Sequence, residues 1–505
     1  MKRDQAGANA TGLRSCLLVL LLSAGNCFAV DTVLFNGKVI TVDSEFSIAE
    51  AIAITDGRIA LVGSDREIRE LADPDTTLID LSGKTVVPGF IDTHPHMIHV
   101  GSGAANVVLA EVESIDDVQL FDGFDVSLNQ SVTIIDGFIE AIDNSKRVSG
   151  NLRVIDGRGK TLLPGLMDAH THTQNAEQLR ETLRWGVTSV FDMATEKNTA
   201  AGLREAAATR SDIAGFFSSV QVATVPDGHG TQYGHPVPTL IKASEAEGFV
   251  RARLSEGSDY LKIIMAGERA KGGWPTLSEE TVIALTNAAH ACQKMAVVHI
   301  ETIDDARIAV NAGAEVLAHV WRDAGADVDF SAELAARGVV VATTLVTQDG
   351  FVDDQGGSAL VADSRLQPWL SKKATAKLTT RHGGPVYADI DRFIEAAAGL
   401  VQAGVTLMAG TDVSAGTTSH GISMHRELEL LVRAGLSPLE TLKAATSNIA
   451  ATFCTDDRGV IAPGKRADLL LVRGDPTVDI MASRDIVGVW RGGVEFNREL
   501  SQEER

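Results

Sequence analysis

Cysteine is scarce in this sequence. Only four occur in 505 residues, and Cys16 and Cys27 lie in an N-terminal segment that we interpret below as a cleaved signal. Cys292 and Cys454 would then remain, so at most one disulfide can form, and we expect two buried thiols instead. The sequence therefore excludes a fold that depends on a disulfide framework.

Basic residues are also few. The 45 lysines and arginines are outnumbered by 67 aspartates and glutamates, which leaves a formal charge of −22. Because like charges repel and no basic stripe interrupts this surplus, nucleic acid and anionic membrane surfaces are excluded as partners, and a small-molecule substrate is expected. Aromatic residues make up only 5%, but hydrophobic (44%) and charged (22%) fractions are ordinary for a globular protein.

Long hydrophobic runs are missing as well. The apolar run at 16–22 is too short to span a membrane. Three basic residues precede it: Lys2, Arg3 and Arg14. With a small-residue cleavage site ending at Ala29, residues 1–29 are typical of a secretory signal peptide. The cleaved protein is expected to be secreted or periplasmic, without stable membrane association; an uncleaved anchor is the alternative.

The front of the chain is duplicated. Residues 33–96 and 119–172 both contain short alternating strands, Asp-Gly or Asn-Gly turns and one apolar strand that ends in His-x-His. The first copy ends in His94-Pro95-His96 and the second in His170-Thr171-His172. Too few residues follow the first copy to build a barrel. Residues 30–117 are therefore predicted to be a partial duplicate of the N-terminal β segment.

The second copy is followed by enough chain for a barrel. Eight apolar runs succeed one another, at about 161–169, 187–193, 215–222, 260–265, 296–300, 315–320, 339–346 and 405–411. Helical patterns lie between and after them, among them 278–292, 389–402 and 438–453. This alternation predicts an α/β fold with a (β/α)8 TIM barrel over 161–454. Segments 118–160 and 455–505 are predicted to form one small flanking β-sandwich domain.

Two histidines end the first predicted barrel strand. His170 and His172 are two residues apart, so on a strand both imidazoles face the same side, at the end where barrel active sites form. One such pair is weak support for a metal site, because two incidental surface histidines would show the same spacing.

Further polar residues recur at later strands. Lys262 lies inside the apolar run 260–265. Three more residues each close an apolar run: His299, His319 and Asp412. A lysine inside an apolar strand is costly, so it indicates either a function or a buried ion pair. Together with the His-x-His pair, these residues fall on predicted strands 1, 4, 5, 6 and 8.

This ordered set resembles the metal ligands of the binuclear amidohydrolase superfamily. The resemblance covers about 118–495, including the Pro-Gly-Lys-Arg-Ala-Asp-Leu segment at 463–469. The strings at 298–302 (Val-His-Ile-Glu-Thr) and 315–320 (Glu-Val-Leu-Ala-His-Val) are most similar to the imidazolonepropionase-like and prolidase-like (Xaa-Pro dipeptidase) branch. The first copy resembles the opening of a different branch of the superfamily.

The resemblance implies two divalent metal ions. His170, His172 and Asp412 would bind one ion, and His299 and His319 the other. Lys262 would bridge both as a carbamate formed with carbon dioxide, because that anion is stable only between two cations. Zinc suits imidazole and carboxylate ligands best, and manganese, cobalt and iron are compatible.

The implied reaction is hydrolysis of an amide, peptide or related C–N bond. A metal-bridging hydroxide would attack the carbonyl, and Asp412 would act as general base. A lactone would suit the same groups. A deaminase is disfavoured because it needs a glutamate three residues after His299, where Thr302 stands. The alternative from another class is an inactive fusion or binding protein, in which segment 30–117 disturbs the β-domain.

The loop after the third strand holds two candidates for substrate contacts. His229 and Tyr233 lie within 226–236, a Gly- and His-rich segment on the predicted active-site face. They are candidates for contacts to a carboxylate or carbonyl, and a turn whose polar groups satisfy one another is the alternative. Asp168 lies on the same strand face as His170, which indicates a role in supporting it, and a hydrogen bond at the strand end is the plainer alternative.

Other histidines are not expected to bind metal. His420 and His425 lie beyond the eighth strand, and His94 and His96 lack later strands in their own repeat. The sequence leaves the substrate open and is compatible with a homo-oligomer.

Overall fold

A computed structural model describes residues 30–43, 46–55, 57–89, 113–144, 153–234, 236–266, 273–352, 355–380, 389–413, 415–502 and 504–505. The chain divides into two compact units, Met1–Ala104 and Ala105–Arg505. The predicted signal segment 1–29 and the pair His94 and His96 lie outside the described residues, so both predictions stay predictions. Within the described ranges, no helix is long and apolar enough to cross a bilayer.

The described residues of the first unit form two small sheets and one short helix. Its elements are β1 (Thr32–Phe35), β2 (Lys38–Ile40), β3 (Ile48–Ala49), β4 (Ala51–Thr55), β5 (Arg58–Gly63), α1 (Asp65–Arg69), β6 (Thr77–Asp80) and β7 (Thr85–Val86). The sheets have the orders β5-β4-β1-β6 and β3-β2-β7. β1 runs antiparallel to β4 and parallel to β6.

The second unit opens with the same strand pairing. Its first strands are β8 (Glu113–Phe121), β9 (Val126–Ile135), β10 (Phe138–Asp143), β11 (Arg153–Asp156) and β12 (Lys160–Pro164). β8 runs antiparallel to β9 and parallel to β11, as β1 does with β4 and β6. Asp136 and Gly137, with φ of 51° and 87°, form the tight turn between β9 and β10. The duplication seen in the sequence is thus also present in the strand pairing.

Eight parallel strands follow in chain order. They are β13 (Leu166–Thr171), β14 (Val187–Asp192), β15 (Gly215–Ser218), β16 (Leu261–Ile264), β17 (Ala296–His299), β18 (Val316–Ala318), β19 (Val340–Ala342) and β20 (Leu407–Met408). Sheets β13-β14-β15 and β16-β17-β18-β19-β20 are joined by parallel bridges Ala223–Ile263 and Thr171–Val413. This is a TIM-barrel-like α/β arrangement. Seven of the strands lie within their predicted runs, and β13 overlaps the run 161–169 but continues to Thr171.

Helices alternate with these strands. They are α2 (Ala176–Arg184), α3 (Lys197–Thr209), α4 (Ala246–Ser255), α5 (Glu279–Ala291), α6 (Ile303–Asn311), α7 (Val328–Arg337), α8 (Leu345–Asp349), α9 (Gln355–Ala362), α10 (Lys372–Thr379), α11 (Asp391–Gln402), α12 (Met424–Arg433), α13 (Pro438–Ala444) and α14 (Ser447–Thr452). Single turns of 3₁₀ helix occur at Ala243–Glu245 and Gln367–Trp369, and a slightly longer one at Ile480–Arg484. The apolar faces of the helices bury side chains such as Leu183, Leu334 and Leu431.

The helical pattern predicted over 438–453 is interrupted. The carbonyls of Ala444 and Ala445 accept hydrogen bonds from the backbone N–H groups of Ala409 and Met167, both at 2.8 Å. Because two strands use these carbonyls, the helix cannot continue through them, and α13 and α14 are separate.

The C-terminal segment returns to the β part. Strands β21 (Leu469–Arg473), β22 (Ile486–Arg491) and β23 (Val494–Glu495) extend the sheet to β10-β9-β8-β12-β21-β22-β23. Ile134, Leu162, Leu469 and Trp490 share its buried cluster. The N- and C-terminal segments are therefore joined in one sheet.

The prediction of two buried thiols is wrong. Cys292 is half-buried and Cys454 is exposed, and both are free. Each lies just beyond the end of a helix, where the chain turns at the surface.

Candidate metal centre

The strand-one histidines meet Asp412 at the carboxyl end of the parallel strands. His170 Nε2 and His172 Nε2 lie 3.3 and 3.1 Å from the same oxygen, Asp412 Oδ1. Ligand atoms of the three residues all lie within 4.8 Å of one another. The backbone N–H of Asp412 donates to the His170 carbonyl at 2.7 Å, which ties the two strand ends together. Two imidazoles and one carboxylate are thus arranged as ligands for a single cation.

Asp168 stabilises the chain at both His170 and Thr411 through hydrogen bonds to the backbone. Its carboxylate accepts hydrogen bonds from the backbone N–H groups of His170 and Thr411, at 3.1 and 2.9 Å. The Thr411 hydroxyl donates to the other oxygen at 2.6 Å. Burial raises the pKa of Asp168 to about 7, and these bonds oppose that rise. Asp168 therefore orients the ligands and is not itself in the three-residue group.

His299 and His319 form a second pair beside the first group. His319 Nε2 faces His299 Nδ1 at 2.9 Å, and the rings of His170 and His319 lie 4.7 Å apart between centroids. On its far side, His319 Nδ1 is 2.6 Å from the Thr344 hydroxyl. Burial lowers the pKa of His319 to about 3, so its imidazole is neutral and can offer a lone pair to a metal.

Lys262 lies on β16 inside this cluster. Its side chain is buried, with 2% of the residue exposed, and Nζ has no hydrogen-bond partner among the described residues. Burial lowers the pKa of its ammonium to about 7. Its charge also contributes to lowering the pKa of His170, after burial, so the two side chains are near neighbours. The amine is therefore substantially neutral and nucleophilic at physiological pH.

Asp412 remains ionised despite its surroundings. Burial alone would raise the pKa of this carboxyl, but His170 and His172 together hold it well below its usual range. The φ of Asp412 is 47°, in the left-handed region that non-glycine residues adopt infrequently and aspartate more often than most.

The residues present fit two divalent ions. The Nε2 atoms of His170 and His172 both face Asp412 Oδ1. Beside them, His319 Nε2 faces His299 Nδ1. The lysine amine beside them is buried and has no hydrogen-bond partner among the described residues to compensate its burial. Imidazole and carboxylate donors are those that zinc and related ions prefer.

His229 covers the second pair from the loop after β15. Its ring stacks on His299, with centroids 5.0 Å apart and planes 25° apart. Gln232 orients this ring, because its Oε1 accepts from Gly230 N at 2.7 Å and its Nε2 lies 3.2 Å from His229 Nδ1. The Gln232 amide thus donates to Nδ1, which leaves the His229 proton on Nε2. Burial lowers the pKa of His229 to about 4, so it acts as a neutral donor.

Two aromatic side chains flank His229. The ring of Tyr233 lies 6.4 Å and that of Trp274 lies 6.0 Å from the His229 ring, both edge-on. Tyr233 is 65% exposed and Trp274 is partly exposed. Trp274 was not among the predicted site residues, because no recognisable motif surrounds it in the sequence.

The later histidines bind the protein itself. His420 Nε2 lies 3.3 Å from the His172 carbonyl. The His425 ring lies between the Ser483 hydroxyl and the Trp185 carbonyl, each at 3.1 Å. Both side chains are buried, and neither belongs to the three-residue group.

Sequence comparison gives the family. The model of the amidohydrolase family matches residues 161–495, which is more than half of the chain. The chain belongs to the amidohydrolase family. The match runs from the second-copy strand that precedes His170 to the last return strand, β23.

Curated relatives cover shorter stretches. N-substituted formamide deformylase of Arthrobacter pascens is 51% identical over 67 residues, 13% of this chain and 12% of that protein. Ochratoxinase of Aspergillus niger is 25% identical over 262 residues, 50% of this chain and 49% of that protein. Imidazolonepropionase of Deinococcus deserti is 37% identical over 98 residues, 19% and 24% of the two chains. The chain thus spans about half or less of the length of these relatives.

A solved structure covers more of the fold. A Xaa-Pro dipeptidase with methionine bound in its active site superposes with a TM-score of 0.62 at 23% identity, over 76% of this chain and 99% of that one. This likeness supports the TIM-barrel-like fold. The predicted resemblance to the imidazolonepropionase-like and prolidase-like branch is confirmed by relatives of both kinds.

Proposed function

We propose that this amidohydrolase is a metal-dependent enzyme that hydrolyses an amide, peptide or related C–N bond. The observation that carries the proposal is the Lys262 amine, which is buried beside converging histidines and has no hydrogen-bond partner in the part of the chain that the structure describes. Burying an amine without a hydrogen-bond partner destabilises the folded protein, so an amine kept in this position indicates a function. The names of the relatives, a deformylase, an ochratoxinase and a dipeptidase, support a C–N substrate.

The proposed ligand set contains six side chains. His170, His172 and Asp412 would hold one ion, and His299 and His319 a second. Lys262 would bridge them after its amine has attacked carbon dioxide and lost a proton, which gives an anionic carbamate. Zinc is the proposed ion. When bound, the ions would supply an activated water and polarise the substrate carbonyl.

Asp412 would move the proton in the reaction. Its carboxylate is ionised and lies at the end of β20, open to the same side as the histidines. As the water oxygen adds to the carbonyl carbon, Asp412 takes the proton of that water. The C–N bond then breaks and the proton passes to the leaving nitrogen, which gives a carboxylic acid and an amine.

His229 would position the substrate. Its Nε2–H donor lies on the face that covers His299, where it can bind a substrate carbonyl or carboxylate. Tyr233 is proposed as the second contact on the same loop.

A deaminase remains disfavoured. The position three residues after His299 is Thr302, whose hydroxyl caps α6 by accepting from Asp305 N. Glu301 instead pairs with Arg322. No glutamate therefore stands where the deaminase arrangement needs one.

The finer architecture and the localisation also belong to this proposal. Bridges Ala223–Ile263 and Thr171–Val413 would close the parallel strands into one (β/α)8 barrel, flanked by a β-sandwich of 118–160 and 455–505. The basic and apolar start of the chain supports export to the periplasm or medium. N-terminal sequencing of the expressed protein tests cleavage of the signal, and an intact Met1 on all of it would contradict a cleaved signal peptide.

A substrate screen tests the activity. Zinc- or manganese-loaded protein is offered dipeptides, N-acyl amino acids, lactams and lactones, with the Asp412→Asn variant in parallel. We expect hydrolysis of at least one C–N substrate by the parent protein and a loss of about 10²- to 10⁴-fold in Asp412→Asn. The exposed Asp456→Asn is the matched control. Equal activity in parent and Asp412→Asn would contradict the proposal.

A further inference from the structure

A buried glutamate lies behind the metal centre, on the outer helix α12. Glu427 has none of its surface exposed, although its neighbours Arg426 and Glu429 reach toward solvent. Burying a carboxylate is unfavourable unless its oxygens are bound. Its position in the helix therefore requires partners on the strand side.

Both oxygens of Glu427 bind one short segment of chain. Oε1 accepts from the Thr343 hydroxyl at 2.5 Å, and Oε2 accepts from the backbone N–H of Val346 at 2.7 Å. Thr343 directly follows β19, and Val346 lies in the first turn of α8. Glu427 thus fastens the residues between the seventh parallel strand and α8.

This segment carries the hydroxyl that holds one proposed metal ligand. Thr344 stands between the two residues that Glu427 binds, and its hydroxyl lies 2.6 Å from His319 Nδ1. The φ of Thr344 is 49°, an unusual value for a β-branched residue that the surrounding bonds must impose. With Nδ1 engaged by Thr344, His319 presents Nε2 toward His299.

The same segment also reaches the other half of the centre. The Thr347 hydroxyl, one residue beyond Val346, donates to the Thr411 carbonyl at 2.5 Å. Thr411 immediately precedes Asp412. The residues from Thr344 to Thr347 therefore contact both His319 and the residue before Asp412.

A salt bridge forms a second contact between α12 and α8. Arg426 pairs with Asp349 at the end of α8, with Nε–Oδ2 at 2.9 Å and Nη2–Oδ1 at 3.2 Å. α12 therefore holds α8 at both ends, with Glu427 at its start and Arg426 at its finish.

We propose that Glu427 is a positioning residue for the metal centre, acting through Thr343 and Val346 on the hydroxyls that orient His319 and the backbone before Asp412. This inference rests on the proposed function, since it assigns Glu427 a part in holding the ligands of that site. Glu427 touches neither metal nor substrate. Its effect is on the geometry in which the ligands meet.

The test measures metal binding by three variants in full-length protein, by zinc titration against a competing chelator. Glu427→Leu removes both acceptors and is expected to weaken zinc binding about 10- to 100-fold. Glu427→Gln keeps an oxygen for Val346 and a polar group for Thr343, and is expected to bind within about threefold of the parent. Thr344→Val loses only the hydroxyl that contacts His319 Nδ1 and is expected to weaken the binding of one of the two ions.

The matched control is Glu333→Leu, which makes the same change on the outer face of α7. Thermal melting of the metal-free proteins checks folding, and if Glu427→Leu does not fold, Thr344→Val and Glu427→Gln decide. Parent-like zinc affinity in Glu427→Leu or Thr344→Val would overturn the inference, as would a Glu427→Gln variant as weak as Glu427→Leu. Parent protein that binds no zinc would instead contradict the proposed function.

Discussion

At the scale of single residues, the site is built from unusual backbone conformations. His319, Thr344 and Asp412 have φ of 78°, 49° and 47°. Such conformations cost about 1–3 kcal/mol each in non-glycine residues, so the surrounding bonds must sustain them. In this chain those bonds come from Asp168, the strand backbones and the threonine hydroxyls. Positive φ values also occur elsewhere in the described residues, for example at Val220 and Gln293. At the site they fall on two proposed ligands and on the threonine that contacts one of them.

His229 offers a test of substrate contact. In His229→Ala, the loss of the Nε2–H donor over His299 should raise KM about tenfold, with a smaller change in kcat, because one hydrogen bond to a substrate carbonyl or carboxylate is lost. Steady-state kinetics on a substrate found in the screen measures both constants. His290→Ala, which removes only a surface pair with Glu315, is the control. An unchanged KM in His229→Ala would remove His229 from the substrate site.

At the scale of helices and strands, the sequence pattern predicts where the proposed ligands meet and that Asp168 supports them, but it does not reveal the other supports. His299, His319 and Asp412 each close an apolar run, so a strand period and the rule for barrel active sites suffice to bring them to one end. Glu427 lies in the string Arg-Glu-Leu-Glu, which favours a solvated helix face. Its burial depends on how α12 packs on α8, which is a tertiary contact that the pattern does not contain.

Two further residues that support the site were also missed in the sequence. Asp192 accepts hydrogen bonds from Thr173 N and the Ser218 hydroxyl, at 2.9 and 2.7 Å, and so braces the chain just after His172. Thr344 is an ordinary threonine in the sequence and becomes part of the site only through its contact with His319. Of these two residues, only Asp192 could have been found from the sequence, because it is a polar residue that closes an apolar run.

Glu427 also predicts a pH dependence of stability. Burial raises its pKa from 4.5 to about 8, its bonds to Thr343 and Val346 oppose the rise, and the charge of Asp168 adds to it. The unfolded chain releases this proton near pH 4.5 and the folded chain near pH 8, so folding loses stability as pH rises across that window. The loss is on the order of 3–5 kcal/mol once the pH exceeds the folded pKa.

Melting temperatures at pH 5.5 and 9 measure this effect. Glu427→Gln keeps the shape but cannot ionise, so its Tm should fall less than that of the parent between the two pH values. Glu440→Gln, an exposed helix cap, controls for the general effect of charge removal. A parallel fall in the parent and Glu427→Gln would show that Glu427 does not titrate in this window.

At the scale of the whole molecule, the family match covers residues 161–495, and the first unit repeats the strand pairing with which the second unit opens. The strands of the first unit pair within 30–89, and the family match begins only at residue 161. The proposed ligands all lie in the second unit. The described strands of its β sheet come from before and after the parallel strands of the same unit.

Truncation tests whether the second unit suffices. A chain of residues 105–505 is expected to fold, to bind the same amount of zinc as the full chain and to keep its activity, because its strand pairing and ligands are internal. Circular dichroism and zinc titration measure this against full-length protein. Loss of metal from a folded 105–505 chain would show that the first unit contributes to the site.

Metal content tests the central claim most directly. Freshly purified protein, analysed by inductively coupled plasma mass spectrometry, is predicted to contain about two divalent ions per chain, as the two groups of ligands require. In Lys262→Met, which keeps the length of the buried side chain but cannot form a carbamate, the content should fall to about one ion or fewer. Parent protein that contains no metal and takes up none on reconstitution, or a Lys262→Met variant that still holds both ions, would contradict a carbamate-bridged binuclear centre.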